Sequence, residues 1–216
     1  FYTPDTGKLL FRSRVNGTIK EYNLLDFAVH QVIGIGLART FQNVELFKSL
    51  TVLENLMVGE HIRTQGGILS QGFNLPKVRK EEKRVREKAM QVLDFLGIAH
   101  TASQLAVSQP YGIQKLIELG RALLSEPRLL ILDEPAAGMD HTETEELAGR
   151  IRQIRDEFGI TIFLVEHDMG LVMDICEKIC AISFGKKLAE GTPQEIQNNP
   201  AVQEAYLGKG DEEYAS

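Results

Sequence analysis

Two stretches bring titratable groups to the end of an apolar run. RLLILDEP sets Asp133 and Glu134 after Leu129–Leu132, and ITIFLVEHD sets Glu166, His167 and Asp168 after Ile160–Val165. Paired carboxylates in that position suit phosphoryl transfer. One can enter the shell of a magnesium ion that neutralises phosphate charge, while the other orients or deprotonates an attacking water. Neighbouring residues on a strand face opposite ways, so the two can share a site only where the chain bends. Pro135 predicts a bend there, since proline ends the hydrogen-bonded ladder. A phosphate cradle of the form GxxxxGK[ST] would complete the set, yet no such string occurs in the 216 residues. The nearest, TGKLL at Thr6–Leu10, has one glycine before the lysine and no Ser or Thr after it.

The elements that must position these groups alternate. From Gln109 onward the pattern predicts a helix in IQKLIELGRALL, a buried strand in RLLILD and a helix in ETEELAGRIRQIRDEF. A second strand follows in GITIFLVEH, then a helix in DMGLVMDICEKI and a third strand in CAISF. Repeated βα units with apolar strands predict a parallel sheet covered on both faces, whose ligands gather at the carboxyl ends of the strands. Thr142 and Glu145 fit a capping box that starts a helix just after Asp140. Upstream, Asn16-Gly17 predicts a hairpin turn between KLLFRSR and GTIKEYNL. Asp26–Ile33 reads as a helix, LARTFQ as a strand, and SLTVLENLMVGEHI as a helix opened by Ser49 or Thr51. Thr64–Asn74 reads as a loop. In KVRKEEKRVREKAMQVLDFLG, Val85, Ala89, Val92 and Leu96 recur at helical spacing with charges on the other faces, which favours a packed amphipathic helix over a basic nucleic-acid arm. Two short helices separated at Asn199-Pro200 close the pattern.

Composition excludes several function classes. With 43% hydrophobic and 25% charged residues the chain is an ordinary globular one, and a net charge of −6 does not call for nucleic acid. Its apolar runs fall short of the roughly 20 residues that span a bilayer, and no leader pattern opens it, so membrane association is expected through a partner. Cys176 and Cys180, in CEKIC, match neither CxxC nor zinc spacing. They are expected to be buried small residues in a reducing compartment rather than a redox pair.

The ordered set says more than any member: Gln42 after RTF, PYG before a helix, LLILDEP, AAGMD, and His167 after the next strand. In this order the chain resembles, along essentially its whole length, the ATP-binding subunits of ABC transporters. The wording FYTPDTG, RTFQN with LFKSLTVLENL, PYG, EPAAGMD, VEHDM and EAYLG is most similar to the ATPases of branched-chain amino-acid importers. The resemblance implies a P-loop NTPase-type α/β fold, with a parallel sheet flanked by helices, a helical lobe and the remnant of an antiparallel β-subdomain. It implies that the P-loop strand and helix lie upstream of FYTPDTG and are absent from this stretch. It divides the chain into 1–42 (β-subdomain remnant and Q-loop), 43–112 (helical signature lobe) and 113–216 (RecA-like core with C-terminal helices).

Roles follow residue by residue from the resemblance. Gln42 matches the Q-loop glutamine that touches magnesium and water. Pro110, Tyr111, Gly112 and Ile113, after Gln109, match the signature that caps ATP held by the opposite subunit. Asp133 matches the Walker B aspartate on magnesium, Glu134 the general base, and His167 the switch histidine. Ala137, Gly138, Met139 and Asp140 match the D-loop. Pro110 replaces the usual serine hydroxyl and Ile113 the usual glutamine. The cofactors implied are ATP and Mg2+, and the partners a second ATPase subunit, identical or paralogous, and transmembrane permease subunits. The implied location is peripheral, on the cytoplasmic face of a bacterial or archaeal plasma membrane. Without the cradle, this stretch alone is expected to hydrolyse nothing. The rival readings are a non-transport ABC ATPase acting on DNA or ribosomes, and a non-catalytic scaffold or regulatory chain; the retained Asp133, Glu134 and His167 argue against the latter.

Overall fold

A computed structural model describes residues 4–40, 44–61 and 76–207. The chain opens with an antiparallel hairpin, β1 (Leu10–Val15) and β2 (Thr18–Asn23). Asn16 and Gly17 both take positive φ, as a tight two-residue turn requires. The helix expected over Asp26–Ile33 is instead two 3-10 pieces, Leu24–Asp26 and Val29–Ile35, with Phe27 and Ala28 extended between them. β-Branched Val29, Val32 and Ile33 weaken a helix here. No residue of either piece is buried, so no packed face compensates.

The central sheet is parallel, in the order β3 (Leu37–Arg39), β4 (Leu129–Asp133), β5 (Thr161–Val165). In this register Asp133 lies opposite Val165, so β4 and β5 end level. Leu130 and Leu132 are essentially buried and share a core with Leu147, Ile151 and Ile154 of α4 (His141–Phe158). On the opposite face Phe163 and Val165 stay exposed. The capping box that opens α4 lies two residues earlier than expected. Asp140 is still extended (ψ 176°) and accepts the Glu143 N–H at 2.9 Å, while Glu143 accepts the Asp140 N–H at 3.0 Å. Thr142 and Glu145 already lie inside the helix and cannot cap it.

Three helices form the lobe beside the sheet: α1 (Val52–His61), α2 (Pro76–Phe95) and α3 (Tyr111–Leu124). Thr51 rather than Ser49 caps α1. Glu54 returns to the Thr51 N–H at 2.8 Å, which holds its carboxyl below the usual range. In α2 the fully buried positions include Ala89 and Leu93, with Leu96 buried just after its end; Val92, expected in the stripe, is only partly buried. α1 and α3 touch where Gly59 faces the Arg121 carbonyl: a Cβ on Gly59 would come within 2.1 Å of that oxygen. The loop expected at Thr64–Asn74 lies outside the described residues.

After β5, α5 (Met169–Ile175) is shorter than expected, because Cys176 is already extended and leads into β6 (Ile179–Ser183). β6 does not join the parallel sheet. Phe184 and Gly185, both at positive φ, turn the chain back into β7 (Lys186–Gly191) as an antiparallel ribbon. Ile179 and Ala181 face a second core with Val172, Ile196 and Val202, which turns Cys180 outward. The cysteines are therefore not both buried: Cys176 is half-buried, Cys180 is exposed, and neither is disulfide-bonded. α6 (Pro193–Gln197) and α7 (Pro200–Leu207) flank Asn199 as expected. No described helix is long and apolar enough to cross a membrane.

Candidate functional site

The level ends of β4 and β5 bring the sequence-selected carboxylates and histidine together. Asp133 is the last residue of β4, and its N–H points at Thr40 Oγ1 (3.4 Å) at the end of β3. Its carboxylate accepts a hydrogen bond from Arg39 Nη2 at 2.5 Å. Glu134 supplies the bend, through its own backbone rather than through Pro135. Its φ is +45°, a left-handed conformation rare for a glutamate. Its N–H still bonds Val165 O (2.9 Å), so the ladder continues for one residue as the chain turns. The turn takes the Glu134 carboxylate to 3.8 Å from His167 Nδ1. Both side chains reach solvent, with 29% of the Glu134 side chain and 74% of the His167 side chain accessible. Gln42 lies outside the described residues, two positions after buried Thr40.

Glu166, left without a role by the sequence reading, ties the two strand ends. Its carboxylate accepts the Ala136 N–H at 3.0 Å and the His167 N–H at 3.2 Å. Asp168 is structural, accepting the Leu171 N–H as the cap of α5.

Pro110, Tyr111, Gly112 and Ile113 form the cap and first turn of α3. Pro110 is the N-cap and offers no side-chain bond, so the first-turn N–H groups and the positive helix end are what this motif presents. Ile113 packs against the core. Gln114 does not substitute for a glutamine at 113, because its amide donates to the Gln109 carbonyl at 2.8 Å and pins the preceding loop. Tyr111 reaches the segment after Glu134. A Cβ on Gly138, whose φ is +79°, would lie 3.1 Å from the Tyr111 ring. A Cβ on Gly112 would lie 2.8 Å from a Glu143 carboxylate oxygen. Ala137 to Asp140 therefore run beneath the first turn of α3: the Ala137 N–H bonds the Glu134 carbonyl (3.2 Å), Met139 packs on the core and Asp140 caps α4.

Sequence reasoning missed Lys115. It is 7% exposed on α3, and its Nζ donates to the Glu134 carbonyl at 3.2 Å. The signal was a lysine in the apolar stripe with Leu119 and Leu123, where a solvated charge would not fall. Arg39, in RTFQ, was also passed over, and nothing in the spacing marks it as the partner of Asp133.

Comparison with known proteins bears on this geometry. The family described as "ABC transporter" matches residues 1–137, and that described as "Branched-chain amino acid ATP-binding cassette transporter" matches residues 186–212. The chain belongs to the ABC transporter ATP-binding family. Among its relatives is the high-affinity branched-chain amino acid transport ATP-binding protein LivG of Escherichia coli. It is 38% identical over 209 residues, which cover 97% of this chain and 79% of the relative. BraF of Pseudomonas aeruginosa, of the same description, is 41% identical over 180 residues, covering 83% of this chain and 71% of the relative. Among solved structures, an ABC-transporter ATP-binding cassette in its ADP conformation superposes with a TM-score of 0.71 at 29% identity, covering 88% of this chain and 77% of that one. The parallel sheet, helical lobe and antiparallel hairpins are thus the ABC cassette fold, and ATP is the ligand that the family binds.

Among the described residues no group of three or more His, Cys, Asp or Glu is placed to hold an ion. Magnesium takes one or two carboxylates and fills its shell with phosphate oxygens and water, and the Asp133 carboxylate at the end of β4 is a donor of that kind.

Proposed function

We propose that this chain is the ATP-hydrolysing subunit of an ABC importer for branched-chain or related amino acids. The observation that carries the hydrolytic part is the left-handed turn at Glu134, which sets its carboxylate beside His167 at the level ends of two parallel strands. The cargo class rests on the names of LivG and BraF.

In this reading Glu134 accepts the proton of the attacking water and His167 contacts the γ-phosphate. Asp133, with Gln42, would hold magnesium, which would supply neutralisation of phosphate charge. Tyr111, Gly112 and Ile113, with Pro110 as the cap before them, face the nucleotide of a second ATPase subunit through their backbone N–H groups and the helix dipole. Ala137, Gly138, Met139 and Asp140 run along the same dimer seam. The divisions 1–42, 43–112 and 113–216 belong to this proposal, with α3 joining lobe to core. Permease subunits dock on the lobe at the cytoplasmic face of the membrane. Of the apolar residues in LFKSLTVLENLM, Val52, Leu53 and Leu56 are core, whereas Phe47 is 49% exposed. Buried Asn55 holds Phe47 at that surface, accepting its N–H at 2.9 Å and donating to its carbonyl at 3.2 Å.

The test is ATPase activity of the protein as the cell makes it, compared with Glu134→Gln. Loss of a general base lowers kcat by roughly 10²-fold or more, with ATP binding retained. Activity within a few-fold of wild type would overturn the assignment. The 216-residue stretch by itself, without a GxxxxGK[ST] string, is proposed to bind ATP poorly and not to turn it over; saturable hydrolysis by that stretch would refute this. Uptake of labelled leucine by cells in which the gene is deleted and restored tests the cargo class.

A further inference from the structure

A glutamate at φ +45° does not hold that conformation unaided. The Glu134 N–H is fixed to Val165 O, and its carbonyl accepts both the Ala137 N–H and Lys115 Nζ at 3.2 Å. Lys115 lies three residues beyond Gly112 on α3, almost fully buried, with its ammonium 5.7 Å from the centre of the Tyr111 ring. Burying an ammonium is costly unless it finds acceptors, and a charge-assisted bond to a carbonyl is about twice as strong as a neutral one. The direction of the Glu134 side chain follows from its backbone torsions, so whatever fixes that carbonyl fixes the carboxylate.

We propose that Lys115 is a positioning residue for hydrolysis: its ammonium locks the Glu134 peptide in the left-handed turn and thereby aims the carboxylate. This rests on the reading of Glu134 as the base. Lys115 is almost fully buried and bonded to the Glu134 carbonyl, so its removal is expected to lower kcat while leaving nucleotide affinity in place. Arginine can reach the same carbonyl as a donor; methionine fills a similar volume without one.

The experiment is steady-state ATPase kinetics on the protein as the cell makes it, for wild type, Lys115→Met, Lys115→Arg and Glu134→Gln, with melting temperatures measured alongside. Lys115→Met is expected to lower kcat about tenfold with KM for ATP within about twofold, and Lys115→Arg to recover most of the loss. If Glu134→Gln is inactive but Lys115→Met keeps full kcat, Lys115 does not position the base and the proposal fails alone. If Glu134→Gln remains active, the reading of the base fails first. If Lys115→Met changes kcat and KM together and arginine does not rescue, the role is only structural and the proposal is overturned. Should Lys115→Met not fold, nitrogen NMR of the wild-type ammonium decides. Slow exchange of the Lys115 Nζ protons is expected, and exchange as fast as that of a surface lysine overturns the proposal.

Discussion

The seam between α1 and α3 allows a prediction whose sign depends on space alone. Gly59 and Gly149 both lie inside helices, and replacing either by alanine brings the same gain in helix propensity, about 1 kcal/mol. Nothing lies within 4 Å of a Cβ built on Gly149, but a Cβ on Gly59 would stand 2.1 Å from the Arg121 carbonyl oxygen. Reaching an ordinary contact means moving α1 and α3 apart by about 1 Å, since the obstacle is backbone and cannot rotate away. Such a gap forfeits a quarter to a half of each dispersion contact across it. The residues that lose contacts include Val52, Leu56 and Ile117, all fully buried. Overpacking on this scale costs about 3 kcal/mol, so the net for Gly59→Ala is a loss of about 2 kcal/mol. At 2–4 °C per kcal/mol for a chain of this size, its Tm should fall by roughly 4–8 °C while that of Gly149→Ala rises by roughly 2–4 °C. Thermal unfolding followed by circular dichroism measures both. If Gly59→Ala is as stable as Gly149→Ala, the two helices do not meet as closely as described, and the placing of α3 by α1 fails with it.

Other outcomes follow from single side chains. Glu190 lies between Lys178 and Lys187, whose hydrogen bonds hold its carboxyl down at about 2. With the folded value below the ordinary 4.5, these pairs favour folding above pH 4.5, and that contribution is lost as pH falls from 4.5 towards 2. Carboxyl NMR of Glu190 should show the low midpoint, and Lys178→Met should raise it. Iodoacetamide should label exposed Cys180 first, since burial pushes the Cys176 thiol up; equal rates in peptide mass spectra would contradict the packing of α5. Asp140→Ala removes the cap of α4 and should cost about 1 kcal/mol in urea unfolding, with Asn at 140 recovering most of it.

How much of this could be read in the sequence depends on what decides each feature. The strands ending at Asp133 and Val165 were legible, because four or five apolar residues before a polar cluster have few other uses. The capping box was legible in kind but not in register: Thr142 and Asp140 both satisfy the pattern, and only the extended ψ of Asp140 separates them. CAISF reads alike for a parallel strand and an antiparallel one. The deciding residues are Phe184 and Gly185, and Phe184 carries no turn signal of the Asn or Asp kind. The pairing of Arg39 with Asp133 joins residues 94 apart, and no local pattern encodes it.

Backbone strain separates the functional reading of Glu134 from a structural one. Among the described residues the other non-glycine positions at positive φ have local causes: Asn16 and Phe184 sit in hairpin turns, and Glu126 follows the end of α3. Glu134 stands at the end of a parallel strand, where a glycine would serve the backbone better. A left-handed glutamate costs about 1–2 kcal/mol, and glycine there removes that cost while adding up to about 1 kcal/mol of entropy to be lost on folding. Glu134→Gly should therefore leave the Tm unchanged or raise it by a few degrees, while hydrolysis is lost as fully as in Glu134→Gln. A protein stabilised by losing a side chain at its reactive centre is one whose strain is tied to function. If Glu134→Gly instead unfolds several degrees lower, the carboxylate is holding the fold together, and its unusual torsion says nothing about chemistry.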